Sequence, residues 1–172
     1  PVRDATQASG WRLQLVHPFD PHPQAVTALA ASPRDRSFLS ADASGQVVLR
    51  HATTDRDLAA PLAAGGPVAA LVYAPKANGG LAIARGGEVS DWDISNPHPE
   101  VTFGSLFGKV WYDGYEAPAY VWQSTGGTDE FEPKLSLRPL IFGTIKGTSY
   151  ALLFAVPLAV LAALYTSQFA HP

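Results

Sequence analysis

The 172-residue chain contains no cysteine and no methionine, and only 16% of it is charged. Without cysteine there is no disulfide scaffold, no thiolate zinc site, no iron–sulfur centre and no cysteine nucleophile. The charged share is well under the usual ~25%. Twelve Lys and Arg stand against fifteen Asp and Glu, for a net charge of −3. That leaves no basic surplus for a phosphate backbone and argues against nucleic acid as a partner. Apolar residues make up 47%, too many for a disordered chain.

Motifs that carry chemistry are also scarce. There is no serine nucleophile elbow and no phosphate loop, and 143–148 only superficially resembles one. His17, His22, His51, His98 and His171 are scattered, His17, His22 and His98 beside proline in loops, without the spacing of a helical metal site. Asp129, Glu130 and Glu132 form a small acidic group that reads as a solvated loop rather than a metal site. The expectation is a chain that is not an enzyme, with no catalytic residue, no cofactor and no metal. With Pro1 at its start and no Met, it reads as a piece of a longer product.

Proline and glycine, by contrast, are plentiful, at fifteen each. Proline alone well exceeds its typical ~5%, which argues against a helical bundle and for short strands joined by turns. A shift of 42 positions aligns 26–33 with 68–75 and, without gaps, pairs Leu39 with Leu81, Gly45 with Gly87 and Val47 with Val89. A period of about 40–45 residues suits one four-stranded propeller blade. In the first copy, strands are expected at 26–31, 38–41 and 45–51. In the second, 81–84 and 87–93 follow the first strand. Ala43-Ser44-Gly45 and Arg85-Gly86-Gly87 are hairpin turns that need positive φ. Residues 87–93 resemble the WD-repeat signature, with Trp92-Asp93 as its dipeptide. The pattern departs at Asp91 and, in the first copy, at Arg50-His51. Residues 11–16 read as the last strand of a further blade. The predicted fold is therefore mainly β, a partial β-propeller of WD-like blades, followed by one transmembrane α-helix.

Phe103, Phe107, Trp111, Tyr112, Tyr115, Tyr120 and Trp122 crowd the next stretch. They suit strand packing, a ligand-stacking surface or an interfacial aromatic belt, and strand packing is the simplest of the three. After Arg138 the only charged residue is Lys146. Residues 147–165 carry no charge and, as a helix, span about 28 Å, close to the ~30 Å hydrocarbon core. Tyr150 and Tyr165 sit near the two ends, where aromatic belts belong. Lys134, Arg138 and Lys146 precede the span and nothing basic follows it, so charge alone does not orient it.

Pro139-Leu140-Ile141-Phe142-Gly143-Thr144, Ala155-Val156-Pro157-Leu158 and Ser167-Gln168-Phe169-Ala170-His171-Pro172 resemble the opening of the permease domain in phosphate ABC transporter permease subunits. Gln168 departs from the acid common there. Residues 110–134 resemble the junction in the subgroup that carries a large propeller-like extracytoplasmic insertion. The resemblance implies three regions: a periplasmic propeller-like part at 1–104, an aromatic junction at 105–138 and a first permease helix at 139–172. It implies the bacterial inner membrane, with 1–138 periplasmic. It also implies a second permease subunit, separate ATP-binding subunits that hydrolyse ATP, and a periplasmic phosphate-binding protein as partners. The path-lining residues of the family fall beyond Pro172, so Lys146 is only a weak candidate for substrate contact, and snorkelling toward the interface suits it better. The rival reading is a single-pass, membrane-anchored propeller that scaffolds other proteins.

Overall fold

The computed structural model describes residues 2–3, 6–127 and 131–169. Its strands are β1 (Val2–Arg3), β2 (Trp11–Arg12), β3 (Val26–Ala31), β4 (Ser37–Asp42), β5 (Gln46–His51), β6 (Arg56–Asp57), β7 (Leu62–Ala63), β8 (Val68–Tyr73), β9 (Gly79–Ala84) and β10 (Val89–Asp93). Helix α1 (Phe103–Phe107), the short strands β11 (Trp122–Gln123) and β12 (Lys134–Leu135), and helix α2 (Arg138–Phe169) follow. The fold is thus antiparallel β, ending in one long apolar helix. One sheet is the meander β3-β4-β5 with β6 and β7 both pairing to β5, and the next is the meander β8-β9-β10.

The 42-residue period is written in the hydrogen bonds. Strands β3 and β8 begin at equivalent positions, as do β4 and β9. The bulge between Val26 and Ala28 recurs between Val68 and Ala70. The Ala43 N–H donates to the Ala25 carbonyl, and the Arg85 N–H donates to the Pro67 carbonyl. The bond from Ala52 to Arg36 returns as the bond from Ile94 to Asn78. Gly45 and Gly87 take φ of 91° and 85°, the left-handed conformation that glycine adopts without a Cβ penalty. Each closes its turn by donating to the carbonyl three residues back, Asp42 or Ala84.

The core lies between the two sheets. Leu39, Ala41, Val47 and Leu49 of the first meet Val68, Leu71, Tyr73 and Ala82 of the second, with Trp92 and Ile94 at the rim. Full burial of each Leu or Val contributes about 1.5–3 kcal/mol. Small residues set the spacing, since a Cβ added at Gly80 would lie 2.6 Å from Leu39 Cδ1. The second sheet leaves its far face open, with Val72 54% and Val89 57% exposed beside Leu81 and Ile83. The equivalent positions of the first sheet are the buried Leu39, Ala41 and Val47 and the half-buried Ala30, on the side that faces the core.

Three expectations are corrected. Residues 11–16 do not form a blade strand. Only Trp11–Arg12 is extended, paired with Val2–Arg3, and Leu13 and Leu15 are exposed. Pro18, Pro21 and Pro23 follow directly and supply no N–H for a ladder. Residues 13–25 instead strap the outer face of the first sheet. There Phe19 meets Phe38 edge-on at 5.3 Å, and Arg50 Nη2 donates to the Asp20 carbonyl at 2.6 Å. Secondly, neither copy has a full fourth strand. The first offers only β6 and β7, and the second stops at three strands. Thirdly, the aromatic stretch is not simple strand packing. It opens with α1, whose Thr102 and Ser105 cap each other reciprocally, and has only an isolated Val110–Ala119 bridge before β11.

The paired glycines separate two costs. At Gly87 an added Cβ meets nothing within 4 Å, whereas at Gly45 it falls 2.5 Å from the Gly66 carbonyl oxygen. Gly87→Ala is expected to cost about 1 kcal/mol from the left-handed backbone alone. Gly45→Ala should cost clearly more, because the Gly66 backbone must also move. Denaturant unfolding of the two variants in detergent checks this, and equal midpoints would contradict it.

Candidate functional site

Three places gather polar or charged side chains. The first is buried in the first sheet. His22 Nε2 is hydrogen-bonded to Ser40 Oγ at 2.8 Å, and His22 Nδ1 stands 3.5 Å from Asp42 Oδ2. Asp42 Oδ1 accepts from the Ser44 N–H, the Ser44 hydroxyl and the Gln46 N–H, and Oδ2 accepts from the Gln24 N–H. Burial pushes the Asp42 carboxyl up, but these bonds together hold it below the usual carboxylate value. The connectivity is that of a Ser-His-Asp triad. The environment is not, because Ser40 is 2% exposed and Asp42 0% exposed. No substrate carbonyl reaches Ser40, so the network ties the 13–25 strap and the β4–β5 turn to the sheet. In the second copy the equivalent positions are Ala64, Ala82 and Ala84, all buried.

The second place is a cleft of about 290 Å³ between the β3–β4 turn and the junction, lined by Arg34, Arg36, His51, Glu100 and Glu132. Burial lowers the His51 pKa, and its Nδ1 is bonded to the Thr54 hydroxyl at 2.9 Å. Burial raises the Glu132 pKa, partly offset by the hydroxyl of Thr53, which donates to Oε1, and by Arg36 and Lys134. Two arginines share the cleft with three carboxylates, Asp35, Glu100 and Glu132. The cleft lies where the junction meets the first sheet.

The third place is the mouth of α2. The Leu137 N–H donates to the Leu106 carbonyl at 2.8 Å and the Ser136 N–H donates to the Val121 carbonyl at 3.0 Å, which pins the start of the helix to α1 and the β11 region. Cations and rings interleave around it. Lys134 Nζ lies over Phe131, Tyr112 and Tyr115, Arg138 and Lys109 both lie over Tyr120, and Lys146 Nζ lies 5.7 Å from the Tyr150 ring. Beyond it, α2 exposes every residue described. It is the one helix, among the described residues, long and apolar enough to cross a membrane. The hydroxyls of Thr144, Ser149 and Thr166 each donate to the carbonyl four residues back, so none needs an external partner. Pro157 lies inside the helix.

The sequence-predicted residues are thus dispersed. Lys146 lies on α2 over the Tyr150 ring, Glu132 lies in the cleft, and Asp129, Glu130 and His171 lie outside the described residues. His98 pairs loosely with Glu100 at 3.4 Å, and His17 Nε2 reaches the Trp111 carbonyl at 3.2 Å. His22 is the histidine that joins two polar side chains of one sheet, Ser40 and Asp42. Its partners are distant in sequence and meet it only through the strap. The detectable signal was the replacement of Ser40 and Asp42 by alanine one period later.

No family model matches the chain, and no curated protein matches it. Among solved structures it is similar to the computationally designed Ika4 protein, at 26% identity over 48% of this chain and 49% of that one, with a TM-score of 0.43. It is also similar to the Myceliophteria thermophila Cps50 (Swd1) beta-propeller domain, at 21% identity over 46% of this chain and 25% of that one, with a TM-score of 0.41. The chain spans about half the length of the first and a quarter of the second. The blade-like character rests on the repeated hydrogen bonds, not on these neighbours.

Two outcomes are expected. Asp42→Ala strands three N–H groups and the Ser44 hydroxyl, and should cost about 1–3 kcal/mol. The triple change of His22, Ser40 and Asp42 to alanine should cost less than the three single changes summed, as read by denaturant midpoints. In pH, the depressed Asp42 pKa means a contribution present above the ordinary carboxylate range and lost as pH falls through the folded value. The raised Glu132 pKa works in the opposite sense, with stability lost as pH rises through the folded value. Glu132→Gln should therefore gain most over the wild type near pH 8 and least near pH 4, in thermal melts of the detergent-solubilised chain.

Proposed function

We propose that the chain is part of the membrane-spanning permease subunit of an ABC importer for phosphate, with the blade-like sheets forming an extracytoplasmic domain. The observation that carries this reading is α2, apolar along most of its length, with no residue buried and three of its five Ser and Thr hydroxyls bonded to their own backbone. Such a helix suits lipid, where every polar group needs an internal partner. Its sequence holds the first two of the three segments that resemble the permease opening and the start of the third. On this reading the inner membrane is bacterial and residues 1–138 face the periplasm. A second permease subunit and two ATP-binding subunits complete the transporter, and a periplasmic binding protein delivers the ion. The chain itself contributes a wall of the path and no hydrolysis. Lys146, with its ammonium over Tyr150, serves as an interfacial anchor.

The test uses the full parent protein in a strain lacking its own phosphate importer. Labelled phosphate uptake should appear with the intact protein and fall to background when 139–172 is replaced by an unrelated span. A periplasm-active reporter fused after residue 127 should be active. Uptake without loss on replacement, or a cytoplasmic reporter, contradicts the proposal. Absence of uptake with a correctly inserted protein favours the rival, a membrane-anchored interaction scaffold.

A further inference from the structure

His51 ends β5 and lines the cleft between the β3–β4 turn and the junction, although its side chain is almost wholly buried, at 1% exposed. Its Nδ1 accepts from the Thr54 N–H at 3.3 Å, and the Thr54 hydroxyl lies 2.9 Å from the same atom. With Nδ1 an acceptor, the neutral ring carries its proton on Nε2. Burial favours that neutral ring. Among the described residues no acceptor meets Nε2. Thr54 holds the other ring nitrogen against its own turn, so the Nε2–H is left to the cleft. A buried donor without a partner is costly, and a ligand that accepts its proton recovers that cost.

The surroundings select which group can do so. Asp35 and Glu100 line the same cleft, and both carboxylates act on the charge of His51. Asp35 is tied beside it. Its Oδ1 accepts at 2.9 Å from the N–H of Ser37, the residue opposite His51 in the β4–β5 register. An anion on the Nε2–H would face these carboxylates at close range. An ammonium would suit the carboxylates but has no lone pair for the Nε2 proton. A hydroxyl does both, accepting from the ring and donating to a carboxylate. Arg34 makes no ion pair among the described residues and adds a planar fork of donors, and Phe131 adds an apolar ring. The volume of about 290 Å³ suits one small ring rather than a chain. The repeat does not require this cluster. One period on, Arg34, Asp35 and His51 give way to Lys76, Ala77 and Asp93.

We propose that this cleft binds a single neutral sugar, with one hydroxyl accepting from His51 Nε2 and donating to Asp35 or Glu100. The site belongs to the first sheet and the junction, and it does not rest on the reading of α2 as a permease helix.

The test uses the whole chain in lauryldimethylamine oxide, a detergent without a sugar headgroup. Glucose, galactose, mannose and arabinose are titrated to millimolar concentration against protein labelled with ¹⁵N-histidine. The His51 ring signals are assigned by their loss in His51→Gln. At least one sugar should shift the Nε2 signal saturably. The Asp35→Asn/Glu100→Gln variant keeps an acceptor for the Ser37 N–H and should bind that sugar about tenfold more weakly. Lys76→Gln, in the matching turn of the second sheet, should leave binding unchanged. No saturable shift with any of these sugars overturns the site. Equal binding by the double variant overturns the hydroxyl bridge to the carboxylates. Acetate or inorganic phosphate shifting the same signal where the sugars do not overturns the sugar assignment in favour of an anion.

Discussion

The fold depends on how closely two small sheets approach each other. One is a three-stranded meander widened by β6 and β7, the other a three-stranded meander, and each has an apolar face that the other covers. They become stable by placing Leu39, Val47 and Leu49 of one against Leu71, Tyr73 and Ala82 of the other. Gly80 sets the distance, since Leu39 Cδ1 occupies the space a side chain there would need. Alanine and glycine in the second sheet are therefore not fillers but the recess into which the first sheet's leucines fit. Tyr73 pays for its depth in that contact. Burial, with Asp35 adding to it, drives its hydroxyl pKa to about 12.

The same interaction explains why the two copies diverged where they did. The first sheet has a second covered face, under the 13–25 strap, and there it carries a polar network. Arg50 stands at the position of Trp92 and is held by Asp57 at 3.0 Å, the Asp20 carbonyl and the Phe19 ring. His22, Ser40 and Asp42 are joined beside it. In the second sheet all three network positions are alanine. Physical chemistry makes that change collective. Removing one member leaves buried polar atoms unpartnered, whereas removing all of them leaves an apolar surface of low cost. Copies of this repeat are thus expected to hold the whole network or none of it.

This divergence marks the limit of what the sequence made legible. The period, the strands at 26–31 and 68–73, the positive-φ turns at Gly45 and Gly87 and the long apolar helix all follow from local signals that recur or run long. What failed depended on contacts between distant segments. Residues 11–16 alternate well enough for a strand, but the prolines at 18, 21 and 23 turn the continuation into a strap. His22 sits beside proline in a loop, and nothing near it in sequence announces Ser40 and Asp42. The aromatic junction suggests strand packing by composition alone, because composition shows rings but not their partners. The cations over those rings come from residues as far apart as Lys109 and Arg138.

The junction then acquires a mechanical meaning. A blade domain joined to a membrane helix by a flexible linker would transmit nothing between them. Here the helix starts under hydrogen bonds from Leu137 to Leu106 and from Ser136 to Val121. The junction is in turn fastened to the first sheet by Thr53 on Glu132 and to the strap by His17 on the Trp111 carbonyl. Each tie joins a different pair of segments, so tilting the helix strains several of them together. The burial that raises the Glu132 pKa is a product of that fastening, because the carboxylate is desolvated where the junction closes on the sheet. The helix mouth, the junction, the strap and the first sheet are thus fastened by one connected set of hydrogen bonds.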